Sequence, residues 1–189
     1  MRSDDAILKR LENKALHYLG RYATTEHRLA QVLGRFAQRK MDDEDPERMK
    51  LLIAKMVSSC VEKGYVNDKD FAAQKTASLR RQGSSRFQIK NKLFERGVNR
   101  DLIDEAIEEN DAEHEYDIEV HSALIYARKR RLGPYAKPPV GQDEMKEGWQ
   151  QKHYASLARA GYSRKTCGVI MELETKEDAE HLFDQGFFG

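Results

Sequence analysis

The sequence predicts an all-α protein, built as three tandem three-helix repeats stacked into an elongated, curved arrangement. Three observations lead there. Apolar residues recur three and four apart along most of the 189 residues, and the four prolines and twelve glycines lie mostly between those segments. Residues suited to open a helix, Thr25, Asp45, Asn67, Ser85, Asn99 and Ser163, stand in front of them. The pattern also repeats on itself, as expected of short helical units that cannot bury their apolar faces alone and must stack.

The clearest helix opens at Asp45, an N-cap followed by Pro46 at the first helical position. It carries Met49, Leu52, Ile53, Met56, Val57 and Cys60 until Gly64 ends it. The next starts at Asn67, sets Asp68 and Asp70 against the positive end of the helix dipole, buries Phe71 and Leu79, and stops at Gly83. Ser85 caps a helix with Ile89 and Leu93 that closes at Gly97, and Asn99 caps one bearing Leu102, Ile103, Ala106 and Ile107. A shift of 64 residues places His153, Leu157 and Gly161 on Ile89, Leu93 and Gly97, and Ser163, Cys167, Ile170 and Met171 on Asn99, Ile103, Ala106 and Ile107. A shift of 60 the other way places Thr25, Leu29 and Leu33 on Ser85, Ile89 and Leu93, with Ala37 where a stopping glycine would fall. The expected units are residues 1–64, 65–110 and 111–174, the third broken by a proline-rich loop over 133–141. Residues 175–189 are read as an acidic tail ending in the apolar pair Phe187 and Phe188.

Composition narrows the class. A hydrophobic fraction of 39% beside 34% charged residues supports cores but leaves much charged surface. No run of about 18 apolar residues occurs, and Met1 to Arg10 lack the apolar stretch of a signal peptide, so a cytoplasmic protein without membrane contact is expected. Cys60 and Cys167 fall within apolar helical patterns and are read as reduced core residues. There is no glycine-rich phosphate loop ending in Gly-Lys-Ser/Thr, and the six histidines, His17, His27, His114, His121, His153 and His181, show no paired ligand spacing. With no nucleophile–base arrangement in view, the expectation is a non-enzymatic protein without metal or cofactor.

Gly64-Tyr65-Val66-Asn67-Asp68-Lys69-Asp70-Phe71-Ala72 is similar to the Gly-Tyr turn, followed by acidic residues and Phe-Ala, of the RecX family. Gly83-Ser84-Ser85-Arg86 with Ile89, Leu93 and Gly97 resembles its next motif, and Ala160-Gly161-Tyr162-Ser163 its Arg-Gly-Phe-Ser turn. The resemblance covers about residues 7–173. It implies three tandem three-helix repeats and a regulator that binds within the groove of a RecA–DNA filament, suppressing ATPase, strand-exchange and coprotease activities. Family members also bind DNA themselves.

Charge distribution points to a binding surface independently of the resemblance. Residues 75–100 carry eight basic side chains, Lys75, Arg80, Arg81, Arg86, Lys90, Lys92, Arg96 and Arg100, against one acid, Glu95, whereas residues 101–119 carry ten acids and no Lys or Arg. A second basic run, Arg128-Lys129-Arg130-Arg131, precedes the proline-rich loop. Taken singly, each is equally well a solvated helix residue. Taken together, like charges four apart, Arg86 with Lys90 and Lys92 with Arg96, are better explained by an anionic partner, either DNA phosphate or an acidic protein groove. Phe87 and Phe94, seven apart, are read as core rather than as base-stacking aromatics, as is Tyr126, and Trp149 as a core anchor of the third repeat. With the resemblance supplying the partner, the expected function is a monomeric inhibitor of the RecA filament that also binds single- and double-stranded DNA; the alternative is a general, non-sequence-specific helical DNA-binding protein.

Overall fold

The structure is a computed structural model in which residues 2–137 and 143–185 are described. Among these residues it holds ten α-helices and no strand. They are α1 (Asp4–Leu19), α2 (Glu26–Lys40), α3 (Pro46–Glu62), α4 (Asp68–Arg81), α5 (Arg86–Phe94), α6 (Arg100–Ala112), α7 (Ile118–Arg130), α8 (Asp143–Arg159), α9 (Arg164–Glu172) and α10 (Lys176–Gln185). The helices begin where side chains satisfy their free N–H groups. Thr25, Asp45, Ser85 and Ser163 each accept from the backbone N–H three residues on, at 2.7–3.2 Å, and Asn67 and Asn99 accept two residues on. Ser3 and Asp117 cap α1 and α7 in the same way. Where Ala37 replaces a stopping glycine, α2 runs on to Lys40.

The chain divides into two compact units, Met1–Ala72 with Leu93–Leu102, and Ala73–Lys92 with Ile103–Gly189. The first is built on α1, α2 and α3, whose apolar faces meet in a core containing Ile7, Leu11, Leu29, Leu33, Met56 and Cys60. The second surrounds Leu124, Leu157, Tyr162, Cys167 and Ile170. Both cysteines are free and buried, and burial pushes both thiols up, away from the reactive thiolate. Much of the segment read as an acidic tail is α10, which buries Ala179 and lays Leu182 and Phe183 on the second core. Phe187 and Phe188 lie outside the described residues, as do residues 138–141 of the proline-rich loop. The start of that loop is a 3-10 turn, Gly133–Tyr135, whose Gly133 N–H donates to His153 Nδ1 at 3.0 Å.

One joint occurs twice. In the first unit the Thr25 hydroxyl donates to the Arg96 carbonyl (2.5 Å), the Glu26 N–H donates to Asp68 (2.9 Å), and the His27 side chain lies over Gly97. In the second, the Ser85 hydroxyl donates to the Ala160 carbonyl (2.6 Å), the Arg86 N–H donates to Glu119 (3.1 Å), and Phe87 lies over Gly161. Except for the acids Asp68 and Glu119, the corresponding positions are those related by the shifts of 60 and 64. Each glycine is left-handed, φ +79° at Gly97 and +83° at Gly161, and an added Cβ would stand 2.3 Å and 2.7 Å from the covering side chain. Glycine is needed there for both conformation and space. The capping hydroxyl thus serves its own helix and the end of the next repeat's middle helix.

Two aromatic expectations are corrected. Phe87 and Phe94 are 58% and 56% exposed rather than core. At about 100° per residue, Ile89 lies about 200° from Phe87 and about 140° from Phe94, so one face of the nine-residue α5 can be buried, and Ile89 and Leu93 take it. Trp149 is half-buried, its ring 4.2 Å from that of His153, and so is no central anchor.

Candidate interaction surface

Basic side chains gather where helices end, because unsatisfied carbonyls favour cations there. Arg80 and Arg81 lie in the last turn of α4, Lys92 in that of α5, and Arg128, Lys129 and Arg130 in that of α7. What separates them is the direction each side chain takes.

Arg80 turns inward. It is 3% exposed, and its guanidinium donates to Asp111 at 2.6 and 3.0 Å, to the Ser84 carbonyl at 3.3 Å, and to Glu119. Burial opposes its charge, but the hydrogen bonds to Asp111 and Glu119 outweigh that and hold its pKa above the usual value. Glu119 also receives the Arg86 N–H, so this buried group ties together residues of α4, α5, α6 and α7. The sequence reading of Arg80 as an outward contact misses this, because the helix pattern does not reveal that two carboxylates converge on it.

Arg86 and Lys90 remain half-exposed but meet acids of α6, Glu108 at 3.2 Å and Asp104 at 2.5 Å. The Lys90 hydrogen bond holds the Asp104 carboxyl below the usual range. The acidic stretch therefore neutralises part of the basic one. Lys75 is half-buried, while Arg81 and Lys92 are exposed, with Lys92 reaching the Ser84 hydroxyl at 3.5 Å. Lys129 donates to the Gln82 carbonyl at 2.9 Å, which brings the basic end of α7 to that of α4 beside Arg81. Arg130 lies 5.9 Å from the Tyr126 ring, and Arg128 is drawn to Glu180 at 3.6 Å and to the Phe183 ring at 5.0 Å. Arg131 is exposed in a left-handed conformation, φ +54°. In the first unit, Arg96 and Arg100 are exposed, with Arg100 over the Phe94 ring at 5.3 Å. Arg81, Lys92, Arg96 and Arg100 form no ion pair among the described residues.

A basic surface that the sequence reading passed over lies in the first unit. Lys14 of α1 and Arg35, Arg39 and Lys40 of α2 line a groove of about 400 Å³ with Val32 and Phe36. Its signal was present in α2, which carries four Arg and Lys residues against the single acid Glu26, but the contribution of Lys14 needed the packing of α1 on α2.

No group of three or more His, Cys, Asp or Glu side chains among the described residues is placed to hold a metal ion. No helix among them is long and apolar enough to cross a membrane.

Comparison with known proteins places this fold. Residues 67–107 match the family model described as RecX, second three-helix domain. The chain is 39% identical over 155 residues to a regulatory protein RecX of Myxococcus xanthus, covering 81% of this chain and 79% of that one. It is 29% identical over 178 residues to the regulatory protein RecX of Agrobacterium fabrum, covering 94% and 90%. The crystal structure of RecX from Lactobacillus salivarius matches with a TM-score of 0.65 at 18% identity, over 89% of this chain and 96% of that one, a likeness of fold.

Proposed function

The chain belongs to the RecX family, and from that membership we propose that it is a regulatory protein that binds the RecA–DNA filament and inhibits its ATPase, strand-exchange and coprotease activities. The observation that carries this reading is the match along four-fifths of the chain to proteins named as regulatory, together with the shared all-helical repeat fold. Three repeats, residues 1–64, 65–110 and 111–174, offer many weak contacts rather than one deep site. Arg81, Lys92, Arg96, Arg100, Lys129, Arg130 and Arg131 supply cations for anionic groups of the filament, with Lys75, Arg86, Lys90 and Arg128 beside them. Arg80 stays with the fold. The same cations give weak, salt-dependent binding to single- and double-stranded DNA without sequence preference. The protein acts as a cytoplasmic, non-enzymatic monomer.

The test is RecA's DNA-dependent ATPase with this protein added at a small fraction of the RecA concentration. Inhibition at that ratio is expected. Inhibition appearing only at amounts comparable to the DNA sites would favour a general DNA-binding protein, and no inhibition at any ratio would end the proposal. Exposed contacts contribute about 0.2–1 kcal/mol each, so an Arg81/Lys92/Arg96/Arg100→Glu variant, checked for helicity, is expected to lose inhibition where single reversals do not.

A further inference from the structure

The groove on α1 and α2 has a composition unlike the rest of the charged surface. Four cations rim it, Lys14, Arg35, Arg39 and Lys40, and no carboxylate among the described residues lines it. None of the four forms an ion pair among the described residues, in contrast to Arg80, Arg86 and Lys90, which meet acids of the same unit. Arg35 and Arg39 instead lie along their own helix, each Nε donating to the carbonyl four residues back, Gln31 at 3.4 Å and Arg35 at 3.3 Å. The helix dipole accounts for Arg39 and Lys40 in the last turn of α2, but not for Arg35 or for Lys14 on the neighbouring helix. Between the cations the floor is apolar, formed by half-buried Val32 and Phe36, with Phe36 packed against the first core.

From this we infer that the groove is a docking site for an acidic protein segment carrying an apolar anchor residue. Charge complementarity selects an anionic partner. The floor then selects among anions: a phosphate backbone has no apolar group to fill it, whereas a peptide segment carries one beside its carboxylates. An aliphatic or aromatic side chain flanked by Asp and Glu satisfies both, with the anchor desolvated at the centre and ion pairs at the rim. The space of about 400 Å³ is ample for such an anchor.

The groove is built within one unit, and its test contains no RecA, so failure here and failure of the filament assay are separate results. The probe is a pool of seven-residue peptides with Asp or Glu at five positions and two central positions randomised, passed over immobilised full-length protein. Arg35 and Arg39 are exposed and, among the described residues, bond only to their own helix, so Arg35→Glu/Arg39→Glu is the variant of choice, with unchanged helicity as its control. The wild type is expected to enrich apolar residues at the central positions, and the variant to lose at least tenfold in affinity for the best peptide. A 12-residue oligothymidylate should displace that peptide no better than salt of equal ionic strength. Absence of apolar enrichment, equal binding by the variant, or displacement by the oligonucleotide at or below the peptide's own concentration would each overturn the inference, the last making the groove a nucleic-acid site.

Discussion

Gly97→Ala tests the repeated joint most directly. At φ +79° an alanine sits in the left-handed region, at about 1–2 kcal/mol. The new Cβ would also stand 2.3 Å from the Cβ of His27, and because that atom is fixed to the α2 backbone no rotamer change relieves the contact. Overpacking of this kind adds about 1–3 kcal/mol, for a total of about 2–5 kcal/mol. Gly64 supplies the control: its φ is +69°, but among the described residues nothing lies within 4 Å of its added Cβ, so Gly64→Ala should carry only the conformational part. Urea unfolding followed by far-ultraviolet circular dichroism measures both. The steric part should also couple to position 27, so Gly97→Ala in a His27→Gly background should cost at least about 1 kcal/mol less than in the wild type. Equal losses for Gly97→Ala and Gly64→Ala, or strict additivity with His27→Gly, would refute the joint as described.

Three further outcomes follow from the same geometry. Thr25→Val and Ser85→Ala each remove a helix cap and a hydrogen bond to the next repeat, and each should lower stability by about 1–3 kcal/mol in the urea assay. Arg80→Ala strands two carboxylates and should cost about 3–5 kcal/mol, read by the fluorescence of Trp149 in the same unit, while Arg81→Ala should stay within about 0.5 kcal/mol. Burial, His114 and Arg128 lower the pKa of His121 below its ordinary 6.5, and burial lowers that of His153. The unfolded chain therefore takes up these protons first, so stability holds above about pH 6.5 and falls as pH drops toward the folded values. A His121→Gln variant should show a shallower loss between pH 7 and 5 in thermal melts, and an unchanged slope would count against burial of the neutral ring.

Sequence alone determined the helical class, the starts of most helices and the positions of the turns. Those features depend on neighbours within one turn: Asp45 before Pro46, Ser85 three residues ahead of the N–H it accepts, glycines at the left-handed ends. The residues that carry the likeness to the RecX family lie at these same local features, which is why the family was legible as well. The fate of each charge and each exposed ring was decided by tertiary structure. Arg80 and Arg81 are adjacent in one basic run, yet one is buried between Asp111 and Glu119 and the other is open to solvent, since a helix turns about 100° per residue and the carboxylates arrive from distant segments. Phe87 and Phe94 share a helical spacing with core residues but lose the buried face to Ile89 and Leu93. The groove of Lys14, Arg35, Arg39 and Lys40 exists only because α1 packs on α2. Local pattern specifies a helix and its ends; which of its faces meets an oppositely charged or apolar neighbour is a long-range outcome that spacing along one helix does not contain.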